Sequence, residues 1–213
     1  MSRLEKLTEK QTAAMPFYKD KWLNIATSSA APEFYDDFII NKIKNAIIAC
    51  YKKAKYAIKE ENIILSTSPI MSMFVASAKH YGKVGNPIKP IKWNDKKNKN
   101  IVGMKVVENF LNTYSNPHEI VNKSAKYKNS IYWGMSDAGY CGFLDFFRNE
   151  TDIKVDWENA DFMNVLTEFT HFVIFEKDFC VVSMRPSVLR TNKGTAIKDG
   201  KPYILWSDGI GLQ

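Results

Sequence analysis

Apolar positions recur at three- and four-residue spacing over about residues 1–169 and then switch to alternation, which divides the chain into a helical stretch and a terminal set of strands. Thr8-Glu9-Lys10-Gln11 reads as a capping box, so a helix starts there. Pro16 is expected to interrupt it and to open a second segment in which Tyr18, Trp22 and Ile25 share a face. The next helix is predicted with Pro32 in its first position. Its apolar stripe is Ile39, Ile43, Ile47 and Cys50; Asp36 and Asp37 sit early and Lys52, Lys53 and Lys55 late, as the helix dipole favours. Asn62 to Ser66 reads as a strand, and Ser68-Pro69 as the cap and first residue of a helix reaching about His80.

From Gly82 to Asn100 the composition is that of an exposed basic loop, followed by helices from Val102 to Tyr114 and from Asn116-Pro117 to near Lys126. Ser136 or Asp137 is expected to cap a helix running to Arg148. Phe143, Leu144, Phe146 and Phe147 make it apolar over much of its surface, which predicts a central place in the core. Asp156 would cap one more helix, carrying Phe162, Val165, Leu166 and Phe169. After it come strands at Phe172–Phe175, Phe179–Met184, Val188–Arg190, Thr195–Lys198 and Tyr203–Trp206, with hairpin turns at Asp199-Gly200 and Asp208-Gly209. Helices first and strands last give an α+β fold: a mainly helical N-terminal two-thirds packed on a C-terminal antiparallel β-meander, in a single domain spanning 1–213.

Composition narrows the chemistry. The longest nearly uncharged run, near Thr67 to Ala78, is too short and polar to span a bilayer, and the first six residues have no apolar signal region, so a cytoplasmic protein without a membrane partner is expected. Cys50, Cys141 and Cys180 are odd in number, widely spaced and set in apolar surroundings, which reads as reduced, buried thiols. His80, His118 and His171 are equally scattered, so neither a metal site nor a cofactor is expected.

Charge is the least evenly distributed property. From Lys79 to Asn129 eleven lysines face three acidic residues, a net +8, so the rest of the chain sums to −1 of the overall +7. Such a segment attracts phosphate backbones, with Lys89, Lys92, Lys96, Lys97 and Lys99 as contacts and Trp93 as a stacking platform. A nucleic acid or another polyanion is the partner this implies; a general bias of the chain toward Lys, Asn and Ile is the competing explanation. Ser66, Thr67 and Ser68 lie at a helix mouth, where free N–H groups and hydroxyls can hold an anion, although Ser-Pro also begins ordinary helices. Asp137, Arg185 and Asp208 are the polar residues proposed to converge beside that mouth in a catalytic site. Each has a structural alternative: helix cap, tie to neighbouring carbonyls, and turn residue.

Several segments together resemble a family of uncharacterised bacterial and phage proteins known only as a domain of unknown function. They are Leu7-Thr8-Glu9-Lys10-Gln11 with Tyr18-Lys19-Asp20-Lys21-Trp22-Leu23; Ser68-Pro69; Gly134-Met135-Ser136-Asp137-Ala138-Gly139-Tyr140 before Phe143-Leu144-Asp145-Phe146-Phe147; and Arg185-Pro186, Gly194-Thr195-Ala196 and Trp206-Ser207-Asp208-Gly209. The resemblance implies a phage or prophage origin and no particular activity. Members tend to carry Gly-Gln-His-Asp-Ala where this chain has Gly134-Met135-Ser136-Asp137-Ala138, which argues against His-dependent chemistry there. Three function classes follow: a binding module for nucleic acid or another anionic partner, an enzyme acting on a phosphorylated or nucleotide-like small molecule, and an assembly protein that self-associates through edge strands.

Overall fold

A computed structural model describes residues 6–82, 101–102, 131–132, 134–153, 157–192 and 195–213. Among them five helices and ten short strands form an α+β fold, with helices mainly N-terminal and strands mainly C-terminal. The helices are α1 (Glu9–Thr27), α2 (Asp37–Lys53), α3 (Pro69–Gly82), α4 (Ala138–Glu150) and α5 (Trp157–Phe169). Val102, expected to open a helix, lies in a strand paired with Gly211; the rest of that helix, over 103–114, the one expected over 117–126 and the Asp156 cap lie outside the described residues.

The capping box closes as the sequence requires, with Gln11 N–H donating to Thr8 Oγ1 at 3.2 Å and Thr8 N–H to Gln11 Oε1 at 2.8 Å. Contrary to expectation, α1 runs straight through Pro16. An interior proline costs about 3 kcal/mol of helix stability, and burial of Tyr18 and Trp22 against α4 offsets it. The two helices touch closely: a Cβ on Gly142 would lie 3.3 Å from Tyr18 O. Trp22 Nε1 donates to Asp145 at 3.1 Å, Lys21 pairs with the same carboxylate at 2.5 Å, and Tyr18 Oη donates to Glu150 at 2.9 Å. This contact turns the other face of α4 outward, so Phe143 is 53% exposed while Phe146 is buried, and α4 is not the all-round core helix its composition suggests.

Nor does Pro32 open α2. It begins a separate 3-10 turn (Pro32–Phe34), and Asp36 caps α2 by accepting from Ile39 N–H at 2.9 Å. Ile43 and Ile47 then reach zero exposure.

The principal sheet joins β1 (Ile63–Ser66), β5 (Cys180–Met184), β4 (Thr170–Phe175) and β3 (Ile131–Tyr132), in that spatial order. β4 and β5 form the expected hairpin, Phe175 opposite Cys180, with a bulge between Thr170 and Phe172. The meander is interrupted, however. β1 joins β5 in parallel, Ile63 opposite Cys180 and Ser66 opposite Ser183. β1 takes the edge of the sheet beside the hairpin, and this short apolar run is covered on both faces, Ile63 by α2 and α5 and Ile64 by the α3 side. One face sets Ile63, Val173, Cys180 and Val182 against α2 and α5; the other sets Phe172, Ile174 and Val181 against Ala76 of α3, with Ile64 packed beside them.

A second antiparallel sheet runs β2 (Ile101–Val102), β10 (Gly211–Leu212), β9 (Ile204–Leu205), β6 (Val188–Leu189), and β7 (Thr191–Asn192) pairs with β8 (Thr195–Ala196). Gly200 and Gly209 have φ of +80° and +82°, while Asp199 and Asp208 do not share that left-handed backbone. The loop over 207–209 is therefore a turn closed by Gly209 N–H to Trp206 O at 3.0 Å and followed by a left-handed glycine, which pairs Trp206 N–H with Ile210 O at 2.8 Å.

Ile47 is fully buried in the cluster that joins α2, α5 and the sheet. Replacing it with Ala should lower the unfolding free energy by about 3 kcal/mol, read from urea unfolding followed by circular dichroism. A loss under about 1 kcal/mol would mean that this interface is not the main core.

Candidate functional site

β1, β3 and β5 point the same way, so their carboxyl ends share one edge of the principal sheet. In open sheets that edge is where ligands gather, because connections diverge there and helices begin. α3 follows β1 at this edge, and a 3-10 turn (Gly134–Asp137) leading into α4 follows β3.

Ser68 is fully buried and caps α3, its Oγ accepting from Met71 N–H at 3.3 Å. Ser66, 8% exposed, lies opposite the buried Ser183 in the ladder. Thr67 is exposed and donates from Oγ1 to Asp208 Oδ2 at 2.6 Å; Asp208 Oδ1 accepts from Ile210 N–H at 3.0 Å. The structure thus brings Asp208 to the Ser66–Ser68 loop across 141 positions of sequence. The carboxylate lies where an incoming anion would approach, so the loop already has a negative partner from its own chain.

Asp137 stands at the N-terminal cap position of α4, half-buried, and its side chain makes no capping bond. Arg185 directly follows β5 and is 4% exposed. Its Nη1 donates to Glu168 O at 2.9 Å; its Nη2 donates to Ser28 O at 2.5 Å, Ser28 Oγ at 3.1 Å and Ile25 O. These are carbonyls at the C-terminal ends of α1 and α5, where a cation is electrostatically favoured. Arg185 N–H also donates to Tyr35 Oη at 2.8 Å, and that hydroxyl donates to Phe169 O at 3.1 Å. Burial pushes the Tyr35 hydroxyl up to about 12 despite the neighbouring guanidinium, so it stays protonated and able to donate.

Lys89, Lys92, Trp93, Lys96, Lys97 and Lys99 lie outside the described residues. The edge also holds a group that composition alone passes over. His171 falls at the β4 bulge, with Nδ1 3.2 Å from Met135 Sδ and its ring edge-on to Trp206 at 5.3 Å. Gly134 seats it: with φ at +48°, a Cβ there would lie 2.5 Å from His171 O, so only glycine fits. The Gly134–Asp137 motif is therefore a structural seat as well as a helix entry. Burial, with Arg185 nearby, pulls the imidazole down to about 4, and it is neutral at pH 7.

Among the described residues no group of three or more His, Cys, Asp or Glu side chains is arranged to hold a metal ion, and no helix is long and apolar enough to cross a membrane. Cys141 and Cys180 are fully buried and Cys50 partly so; none of the three is in a disulfide. Compared with known proteins, the chain matches no family model, and no curated protein or solved structure is significantly similar to it.

Since the folded imidazole titrates below its ordinary value of 6.5, the unfolded chain takes up the proton first as pH falls. The stabilisation from neutral His171 is complete above pH 6.5 and is lost toward pH 4, a change on the order of 2–3 kcal/mol. Urea unfolding between pH 7 and 4 should show His171→Leu losing less stability than wild type across that window. Parallel curves would mean the imidazole titrates normally.

Proposed function

We propose that this chain is a binding module for polyanions, nucleic acid foremost, acting through the segment from Lys79 to Asn129. The observation that carries this reading is the confinement of the whole positive excess to that quarter of the chain, the rest being close to neutral. Anchoring supports it. The segment leaves from α3, β2 within it pairs with β10, and β3 just after it pairs with β4. The cationic stretch is thus tied at three points to a body that is close to neutral. Trp93 adds a face on which bases of any sequence can stack.

The polar groups of the sheet edge weigh on the same side. Arg185 is committed to backbone carbonyls and Asp208 to Thr67 and Ile210, so neither stands free to bind or activate a substrate. The convergence of Thr67 and Asp208 beside the start of α3 favours one second reading: recognition of a phosphorylated small molecule by exchange of Asp208 for a phosphate. Asp208→Asn would then tighten inorganic phosphate binding, and calorimetry showing no phosphate uptake by either form would end that reading.

For the principal reading, anisotropy of a labelled single-stranded oligonucleotide should show affinity falling steeply between 50 and 200 mM salt. Replacing Lys96, Lys97 and Lys99 together with Gln should weaken binding and lower the log–log salt slope by about 2 to 3. Salt-independent affinity, or an unchanged slope in the triple variant, would contradict it.

A further inference from the structure

At the sheet edge opposite the carboxyl ends of β1 and β5, a cavity of about 470 Å³ opens between the end of α2, α5 and the β4–β5 hairpin. Its volume falls in the roughly 300–1,000 Å³ range of small-ligand sites. The inner wall is apolar: Leu166, 2% exposed, with Phe175 and Met163. Cys50 and Tyr51 close one side. Tyr51 has no hydroxyl proton to offer a ligand, because its one O–H is shared between Glu176 O at 2.5 Å and Phe179 O at 2.8 Å. The interior therefore presents hydrocarbon and a thiol. The mouth differs: Ala54 and Tyr56 flank it, both exposed, and Lys177 reaches it from the hairpin turn. Glu176 lines it too and Asp178 follows Lys177 in the turn, while the last turn of α2 and its exit add Lys52, Lys53 and Lys55 beside Ala54, Lys53 being paired with Glu158 at 4.0 Å, so the chain around the opening carries four lysines against three carboxylates.

We propose that this cavity binds an anionic amphiphile of the medium-chain carboxylate type, its hydrocarbon tail lying against Leu166, Phe175 and Cys50 and its head at Lys177. The tail fits a wall that offers almost no hydrogen bonds, and the head stays in water within reach of Lys177, so no charge is buried without a partner. The site is separate from the lysine-rich segment and stands whether or not that segment binds polyanions.

Cys50 supplies an internal reporter. Cys141 and Cys180 have no exposure, so a thiol reagent applied to the native protein reads Cys50, whose thiol burial pushes up to about 11 and whose labelling is therefore slow enough to follow. Hexanoate, octanoate and decanoate, each below its micelle concentration, should protect Cys50 from a maleimide. Affinity should rise roughly ten-fold for each two carbons added, as burial of two methylenes requires. Decanol should bind several-fold more weakly than decanoate, and Lys177→Glu should remove that preference. Ala54→Trp, placed at the exposed mouth, should abolish protection while leaving the melting temperature near wild type. Protection that ignores chain length, or that persists in Ala54→Trp, would overturn the site; decanol binding as well as decanoate would overturn the anionic head.

Discussion

A single guanidinium ties the ends of two helices to the principal sheet. Arg185 emerges from β5 into a space where α1 and α5 both end, and it donates to Glu168 O, Ser28 O and Ile25 O, the last of which also accepts from Ser28 N–H and Oγ. A helix end buried without partners is costly, and here one side chain serves two ends while its backbone N–H engages Tyr35, whose hydroxyl continues to Phe169 O. Lysine could keep the charge but not the planar fork that reaches residues 25, 28 and 168 at once. The same buried cation helps keep His171 neutral, so the polar interior of the sheet edge is organised around it.

With that tie in place, the layers follow from hydrophobicity alone. β1 and the β4–β5 hairpin carry apolar residues on both faces and need helices above and below; α2 and α5 cover one side and α3 the other. The arrangement sends the carboxyl ends of three parallel strands, and the starts of α3 and α4, to one edge. In this chain that edge is filled by its own side chains. Asp208 meets Thr67, Trp206 Nε1 donates to Met184 O at 3.2 Å, and His171 seals against Met135. An edge so saturated is built for stability, which directs attention to the lysine-rich segment and to the apolar cavity at the opposite edge.

Much of the local structure was legible in the sequence because its determinants are local. The Thr8–Gln11 box, the Ser68-Pro69 entry, the stripe of Ile43 and Ile47, and the left-handed glycines at 200 and 209 all rest on residues within a few positions of one another. What escaped depends on partners far away in sequence. Pro16 is tolerated because α4 packs on α1, and β1 chooses β5 across more than a hundred residues. Phe143 misleads because α4 turns its close-packed residues, Gly142 and Phe146, toward α1 and leaves Phe143 on the outer face. Of the candidate site residues, Ser66 to Ser68 and Asp208 share one place, Arg185 serves the helix ends, and Asp137 sits at its helix start.

The central claim is that the geometry of Arg185, beyond its charge, ties both helix ends to the principal sheet. Equilibrium unfolding of Arg185→Lys with hydrogen exchange at the ends of α1 and α5 tests it most directly. The variant should lose about 2 kcal/mol or more, with faster exchange in the last turns of both helices and little change in α2. Stability within about 0.5 kcal/mol of wild type, with both helix ends protected as before, would contradict the account.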